Sequence, residues 1–299
     1  MTQVQTSLHG LGVAMVTPFN EQGNVDFPAL QRMVEHQIEG GTAFLVVLGT
    51  TGETPTLSAA EQRRVVDFVL EVDAGRLPLV VGVTGNNTAE LCERISGWDV
   101  NGVAAFLVAT PAYNKPGQEG LKAHYTAVAD AAPRPVILYN VPGRTACNML
   151  AATTLALAEH PNVIGIKEAS GDLEQIGDIL ASRPAHFAVW SGDDALAMPT
   201  VAMGAEGLIS VLGNVFPKPM AAMVEQASFG QTHEARSTHA ALKPLMALMF
   251  EEGNPAGVKA AMNHLGLCEG GVRLPLTMAS AALKDKLYAA IAALEVSAH

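Results

Sequence analysis

The sequence predicts a (β/α)8 TIM barrel with a C-terminal helical extension. Three observations predict it. Eight short apolar runs recur along the chain as far as Ser210, with helical patterns between them. These runs are aliphatic on both faces, as parallel strands packed between a barrel interior and an outer helix layer must be. Beyond Pro217 the runs stop and only helical patterns continue. The competing architecture, a doubly wound open sheet, is disfavoured because no Gly-x-Gly-x-x-Gly follows the first run.

In chain order, the first strand is expected at Val13–Thr17, and Asp26-Phe-Pro then starts a helix with Pro28 in its first turn. Phe44–Leu48 is the second strand, and Ser58-Ala-Ala-Glu61 after it is a capping box. Leu79–Val83 precedes a helix beginning at Thr88-Ala-Glu-Leu, and Val103–Val108 precedes one beginning at Gly117-Gln-Glu-Gly. Val136–Tyr139 and Val163–Lys167 are followed by a helix from Asp172-Leu-Glu-Gln. Ala188–Trp190 and Gly207–Ser210 complete the set. Four helical patterns come last: Met220–Ser228, Thr232–Phe250, Pro255–Leu265 and Leu276–Ala293. The first closes the barrel, so residues 1–229 form the barrel domain and residues 230–299 the extension. Met246, Met249 and Met262 lie at helical spacing and read as packing residues.

The 299 residues suffice for one barrel of about 250 residues with an appendix. Hydrophobic residues make up 49% and charged residues 16%, a globular composition with a large core. The net charge of −11 comes with no Lys/Arg block, which excludes nucleic acid and anionic membrane surfaces as natural partners. Cys92, Cys147 and Cys268 are far apart and form no Cys-x-x-Cys pair, which argues against a disulfide framework or a thiolate zinc site. Residues 1–10 carry no apolar signal core, and no apolar run reaches the about 20 residues that cross a bilayer. A soluble, cytoplasmic protein is expected.

Barrel sites form where the strands end, so the polar residues closing each run are the candidates. Lys167 closes Val163-Ile-Gly-Ile, where a dry surrounding lowers an ammonium pKa and frees an amine to attack a ketone. The alternative is an interior lysine paired with a carboxylate such as Glu168, although alternation points Glu168 the other way. Gly49-Thr50-Thr51-Gly52-Glu53 closes the second run; its N–H groups and hydroxyls can cradle a small carboxylate, or simply make a βα turn. Tyr139 can relay protons and Arg144 can fork a carboxylate, against the plainer roles of core anchor and surface residue. Tyr113 carries the same two readings. Asp193-Asp194 reads as an N-cap for Ala195–Ala202 rather than a metal site, and the nine histidines are scattered.

Five of these motifs stand in order: Gly-Thr-Thr-Gly-Glu, Tyr113-Asn-Lys-Pro, Tyr139-Asn-Val-Pro-Gly-Arg-Thr, Gly165-Ile-Lys-Glu-Ala-Ser-Gly-Asp and Ser191-Gly-Asp-Asp. Together they resemble the dihydrodipicolinate synthase / N-acetylneuraminate lyase family, pyruvate-dependent class I aldolases and related enzymes on a (β/α)8 barrel. The likeness runs from about Leu11 to about Ser280 and includes Asn254-Pro255 and Arg273-Leu-Pro. It implies Lys167 as the Schiff-base nucleophile, with Tyr139, Thr50 and Tyr113 as a proton relay, Tyr113 reaching in from a neighbouring subunit. It implies that Thr51 holds the pyruvate carboxylate and that Gly192 and Ile209 line the pocket through their main chain. Arg144 marks the branch that condenses pyruvate with L-aspartate 4-semialdehyde on the diaminopimelate route to lysine. No cofactor or metal is implied, and a homotetramer, a dimer of dimers, is. Asn86 and Glu90 match a possible effector site for lysine. Ala59 and Gln62 stand where sensitive members often have histidines, and Ala112 replaces a tyrosine. Two further readings stay open: another aldolase or lyase of the family acting on a sugar-derived 2-keto acid, and a non-catalytic binding barrel.

Overall fold

The computed structural model describes residues 8–297; the rest of the polar N-terminal segment lies outside the described residues. Eight strands close into one parallel barrel in sequential order. They are β1 (Gly10–Ala14), β2 (Phe44–Val47), β3 (Leu79–Gly82), β4 (Val103–Ala109), β5 (Val136–Asn140), β6 (Val163–Glu168), β7 (Ala188–Ser191) and β8 (Gly207–Ser210). Closure is made by β1 against β8, from Gly10 opposite Gly207 to Val13 opposite Ser210. Eight helices wrap the barrel: α1 (Phe27–Glu39), α2 (Ala59–Asp73), α3 (Thr88–Ser96), α4 (Gln118–Ala131), α5 (Ala151–Ala158), α6 (Leu173–Ser182), α7 (Ala197–Ala202) and α8 (Pro217–Ser228). A separate helical turn, Pro142–Thr145, follows β5. Three more helices come after the barrel: α9 (Thr232–Leu248), α10 (Ala256–His264) and α11 (Ala281–Ser297).

The helix starts follow their local chemistry. Asp26 accepts from the Ala29 N–H at the head of α1. At α2 the Ser58 hydroxyl accepts from the Glu61 N–H while Glu61 reaches back to the Ser58 N–H, a complete capping box. Asp172 accepts from both Glu174 and Gln175 at α6.

The first strand departs from expectation. It runs Gly10–Ala14, not Val13–Thr17, because two glycines hide its start and a side chain ends it. A Cβ on Gly12 would lie 2.3 Å from the Phe44 ring, and one on Gly207 1.9 Å from the Gly10 carbonyl oxygen, so bare backbone is required where the barrel closes. After Ala14, the Asn214 amide takes over: it accepts from the Val16 N–H at 3.1 Å and donates to the Ala14 carbonyl at 2.8 Å. The segment expected to start the last helix at Leu276 is non-helical until α11 begins. Asp194 is also no helix cap. It is buried and accepts from the Ser210 hydroxyl, from Val211 N–H at 3.2 Å and from Leu212 N–H at 2.8 Å, tying the exit of β7 to that of β8. Asp193 does not cap the helix either: it accepts from the Ala195 N–H at 2.8 Å in the turn ahead of α7, whose first residue is Ala197 and whose start carries no side-chain cap.

The core has two layers. Between sheet and helices lies the larger cluster, which includes Met246, Met249 and Met262, all buried as their spacing predicted. Inside the barrel, Phe44, Val46, Val80, Ile137, Ile164, Trp190 and Ile209 fill the lumen. Trp190 and Phe44 meet edge to face at 6.3 Å, and the Trp190 indole donates to the Leu8 carbonyl at 2.7 Å. With the lumen filled, a site falls to the strand ends, and in barrels of this kind it forms at the C-terminal ones.

Candidate active site

A cavity of about 580 Å³ opens there. Thr50, Thr51, Tyr139, Arg144, Lys167 and Gly192 line it, together with Asp193, Asp194, Lys243, Met246, Phe250 and Asn254. Its electrostatics follow from the strands beneath. Register pairs Tyr139 of β5 with Lys167 of β6, so both side chains leave adjacent strands on the same face. The Lys167 ammonium position lies 4.5 Å from the Tyr139 ring centroid. Lys167 is 4% exposed, and burial lowers its pKa to about 8, partly opposed by the Asp194 carboxylate and reinforced by Arg144. Tyr139 is pushed upward by its own burial, with Arg144 and a hydrogen bond from Thr50 pulling the other way. The amine is thus brought into the working range while the phenol stays protonated.

Glu168 takes no part in an ion pair with Lys167. It faces outward and accepts from Asn140 at 3.0 Å, Ser170 N–H at 2.7 Å and Gln175 at 3.2 Å. Burial raises its pKa, and these donors oppose the rise.

Thr51 is buried in the short turn after β2, and Asn254 donates to its hydroxyl at 2.9 Å. Arg144 sits exposed on the Pro142–Thr145 turn at the cavity mouth, and its guanidinium makes no hydrogen bond or ion pair with any described residue. Gly192 is shaped by Lys167: a Cβ there would meet the lysine side chain at 3.0 Å and Ala169 at 2.7 Å. Gly192→Ala is therefore expected to push the Lys167 side chain off its path and slow covalent capture of a ketone, and to lower the melting temperature as well, because the Ala169 Cβ is no flexible tip that can swing away. Borohydride-trapping rates and a thermal melt check this.

Two predicted site residues lie elsewhere. Ile209 is fully buried in the barrel lumen and is not among the lining residues; Val211, just past β8, lines the cavity instead. Tyr113 is 91% exposed, with left-handed backbone (φ 71°), and does not reach the cavity of its own chain. Its segment is held by Asn86, whose amide donates to the Ala112 carbonyl and accepts from the Ala112 N–H, both at 2.9 Å. Glu90 lies exposed in the first turn of α3. A second cavity, of about 290 Å³, abuts Thr50 and Tyr139 from the side of Gln62, Thr84 and Arg94.

Sequence reasoning missed Asp194, Lys243 and Asn254 as lining residues. Asn254-Pro255 had stood out only as part of the resemblance, and nothing local marks Lys243 as facing a cavity. Among the described residues no cluster of His, Cys, Asp or Glu is placed to hold a metal ion, and no helix is long and apolar enough to cross a membrane.

A barrel whose strand ends hold a desolvated lysine beside a tyrosine, under an arginine at the mouth, has the parts of a lyase with an amine placed to act as a nucleophile. The chain belongs to the dihydrodipicolinate synthetase family, whose model it matches over residues 7–294. It is 47% identical over 294 residues to the 4-hydroxy-tetrahydrodipicolinate synthase of Phocaeicola vulgatus, covering 98% of this chain and 99% of that one. Solved structures agree. The dihydrodipicolinate synthase of Acinetobacter baumannii complexed with pyruvate superposes with a TM-score of 0.94 at 39% identity, covering 97% of this chain and 99% of that one. The enzyme of Cyanidioschyzon merolae with lysine bound gives 0.92 at 37%, covering 97% and 99%.

Proposed function

We propose that this protein condenses pyruvate with L-aspartate 4-semialdehyde, the 4-hydroxy-tetrahydrodipicolinate synthase reaction of lysine biosynthesis. The observation that carries the reading is the buried Lys167, its pKa lowered to about 8, beside Tyr139 in the strand-end cavity. The Lys167 amine attacks the pyruvate ketone carbon, and loss of water leaves a protonated imine. The imine draws electrons from the methyl group, which gives up a proton and becomes an enamine. Tyr139 moves protons in these steps through Thr50 and a Tyr113 supplied by a second subunit. Thr51 and the neighbouring N–H groups hold the pyruvate carboxylate. The enamine carbon then attacks the aldehyde while Arg144 grips the semialdehyde carboxylate. The substrate's own amine displaces Lys167 and closes the ring. The lysine serves as the electron sink, so this chemistry calls for no metal or cofactor.

The exposure of Tyr113 supports its use in trans, and with it an assembly of at least two chains, in keeping with a homotetramer. The test of the whole reading has two arms. Sodium borohydride with pyruvate should add the mass of one reduced pyruvate per chain. A coupled assay should then show turnover with L-aspartate 4-semialdehyde and none with a sialic acid. Trapping without semialdehyde turnover would leave a different pyruvate lyase, and no trapping would leave a binding barrel.

Regulation by lysine is expected to be weak. Asn86 has its amide engaged on Ala112, and Gln62 spends its own amide on the Thr54 and Leu57 carbonyls. Position 112 offers no aromatic ring, and losing that contact and hydroxyl removes roughly 2–4 kcal/mol of ligand binding. A lysine titration of initial rates at subsaturating pyruvate should show half-inhibition only above about one millimolar.

A further inference from the structure

The turn that Thr50, Thr51 and Gly52 form is held from behind by the chain's C-terminal third. Glu53 ends it in left-handed backbone (φ 53°), with its N–H bonded to the Thr50 carbonyl at 3.2 Å. The Glu53 side chain is fully buried, and so is that of Lys259 in α10, with which it forms an ion pair. The second Glu53 oxygen accepts from the Arg273 N–H at 2.9 Å. Lys259 also donates to the Gly271 carbonyl at 2.8 Å and lies 4.2 Å from the Phe19 ring centroid. The Arg273 guanidinium covers the same ring at 4.4 Å and donates to the Thr56 carbonyl and to Glu61. Asn254, just ahead of α10, completes the hold through the Thr51 hydroxyl.

A buried ion pair is a poor source of stability, because desolvating two charges offsets most of their attraction. Its geometry is rigid, though, since both partners must stay where their remaining hydrogen bonds are. Three of these contacts meet the turn itself: Lys259 on Glu53, the Arg273 N–H on Glu53, and Asn254 on the Thr51 hydroxyl. We propose that Glu53, Lys259 and Asn254 are positioning residues that preform the carboxylate-binding turn, so that the helices after the barrel set the affinity for pyruvate. This rests on the reading of that turn as the pyruvate-carboxylate site.

The test uses a charge-free pair of matched volume, Glu53→Gln with Lys259→Met, in which the glutamine oxygen still serves Arg273. Pyruvate and semialdehyde kinetics are measured beside a thermal melt. The double variant should melt within a few degrees of the parent and keep its kcat at saturating pyruvate. Its pyruvate KM should rise by about tenfold or more, and its semialdehyde KM should not move. A merely structural pair would shift the melt and leave the pyruvate KM alone, which would overturn the proposal. Asn254→Ala provides a second arm should the double variant not fold: it removes the Thr51 contact without touching the ion pair. It should raise the pyruvate KM selectively, and an unchanged value would likewise overturn the proposal. Borohydride trapping in the parent protein reads the site assignment independently, since its failure would refute the pyruvate reading whatever the variants do.

Discussion

Lys167→Arg is expected to abolish covalent capture of pyruvate, with kcat falling by at least about a thousandfold, as losses of a nucleophile do. The substitution keeps a cation on β6 but replaces an amine that can deprotonate with a guanidinium that cannot. Lys167 gains its reactivity from burial, which brings its pKa to about 8 from the ordinary lysine range. At pH 7.5 roughly a quarter of such a side chain is the free amine, against about a thousandth for an unperturbed lysine. The sign follows: trapping in the parent protein speeds up as pH rises through about 8 and levels off above it. A trapping rate that climbed steadily toward pH 10 would mean that burial does not tune this amine. A reduced-pyruvate mass persisting in Lys167→Arg, at another lysine, would remove Lys167 from the chemistry.

The parts of the site legible in the sequence were those whose signal is local. Lys167 could be singled out because a charge ending an apolar run is a conflict that either a site or a buried carboxylate partner must resolve, and the surrounding motifs favoured the site. Thr50 and Thr51 in the turn after β2 and Tyr139 at the end of β5 stood out as polar residues at strand ends, and the resemblance supplied their roles. The barrel itself was legible from continuous apolarity, which misled only where glycines replace side chains at the β1–β8 seam. What could not be read depends on pairs far apart in sequence. Glu53 and Lys259 are separated by 206 positions, and Asn254 and Thr51 by 203. A lone glutamate in a turn looks solvated, and Lys259 stands in the apolar stretch Ala256–Met262 with no carboxylate near it in sequence; only the fold reveals that the two lost water together. Asp194 was misread for a related reason. A carboxylate ahead of a helix satisfies the local capping pattern, yet the neighbouring strand end offered it a hydroxyl and two N–H groups. Tyr113 shows the opposite limit: its motif was plain, but its own chain's cavity is out of its reach.

Arg144→Ala should separate the two halves of the reaction. The guanidinium stands at the mouth with no partner carboxylate among the described residues, the arrangement of a cation kept free for a substrate anion. A charge-assisted contact of this kind is worth about 1.5–3 kcal/mol, so the semialdehyde KM should rise about 10- to 150-fold. Pyruvate chemistry lies deeper, at Lys167, and should survive. The charge of Arg144 does help to hold the lysine pKa down, so its removal should move the pH midpoint of trapping slightly upward without abolishing capture. Arg144→Lys restores the charge but not the two-pronged geometry, and should recover the trapping midpoint more fully than the semialdehyde KM. Because the mouth is exposed, part of the effect is long-range attraction and should shrink as salt is added. Steady-state kinetics in both substrates, at low and high ionic strength, decide the assignment. A semialdehyde KM that stays put while pyruvate trapping collapses would place Arg144 on the first substrate instead of the second.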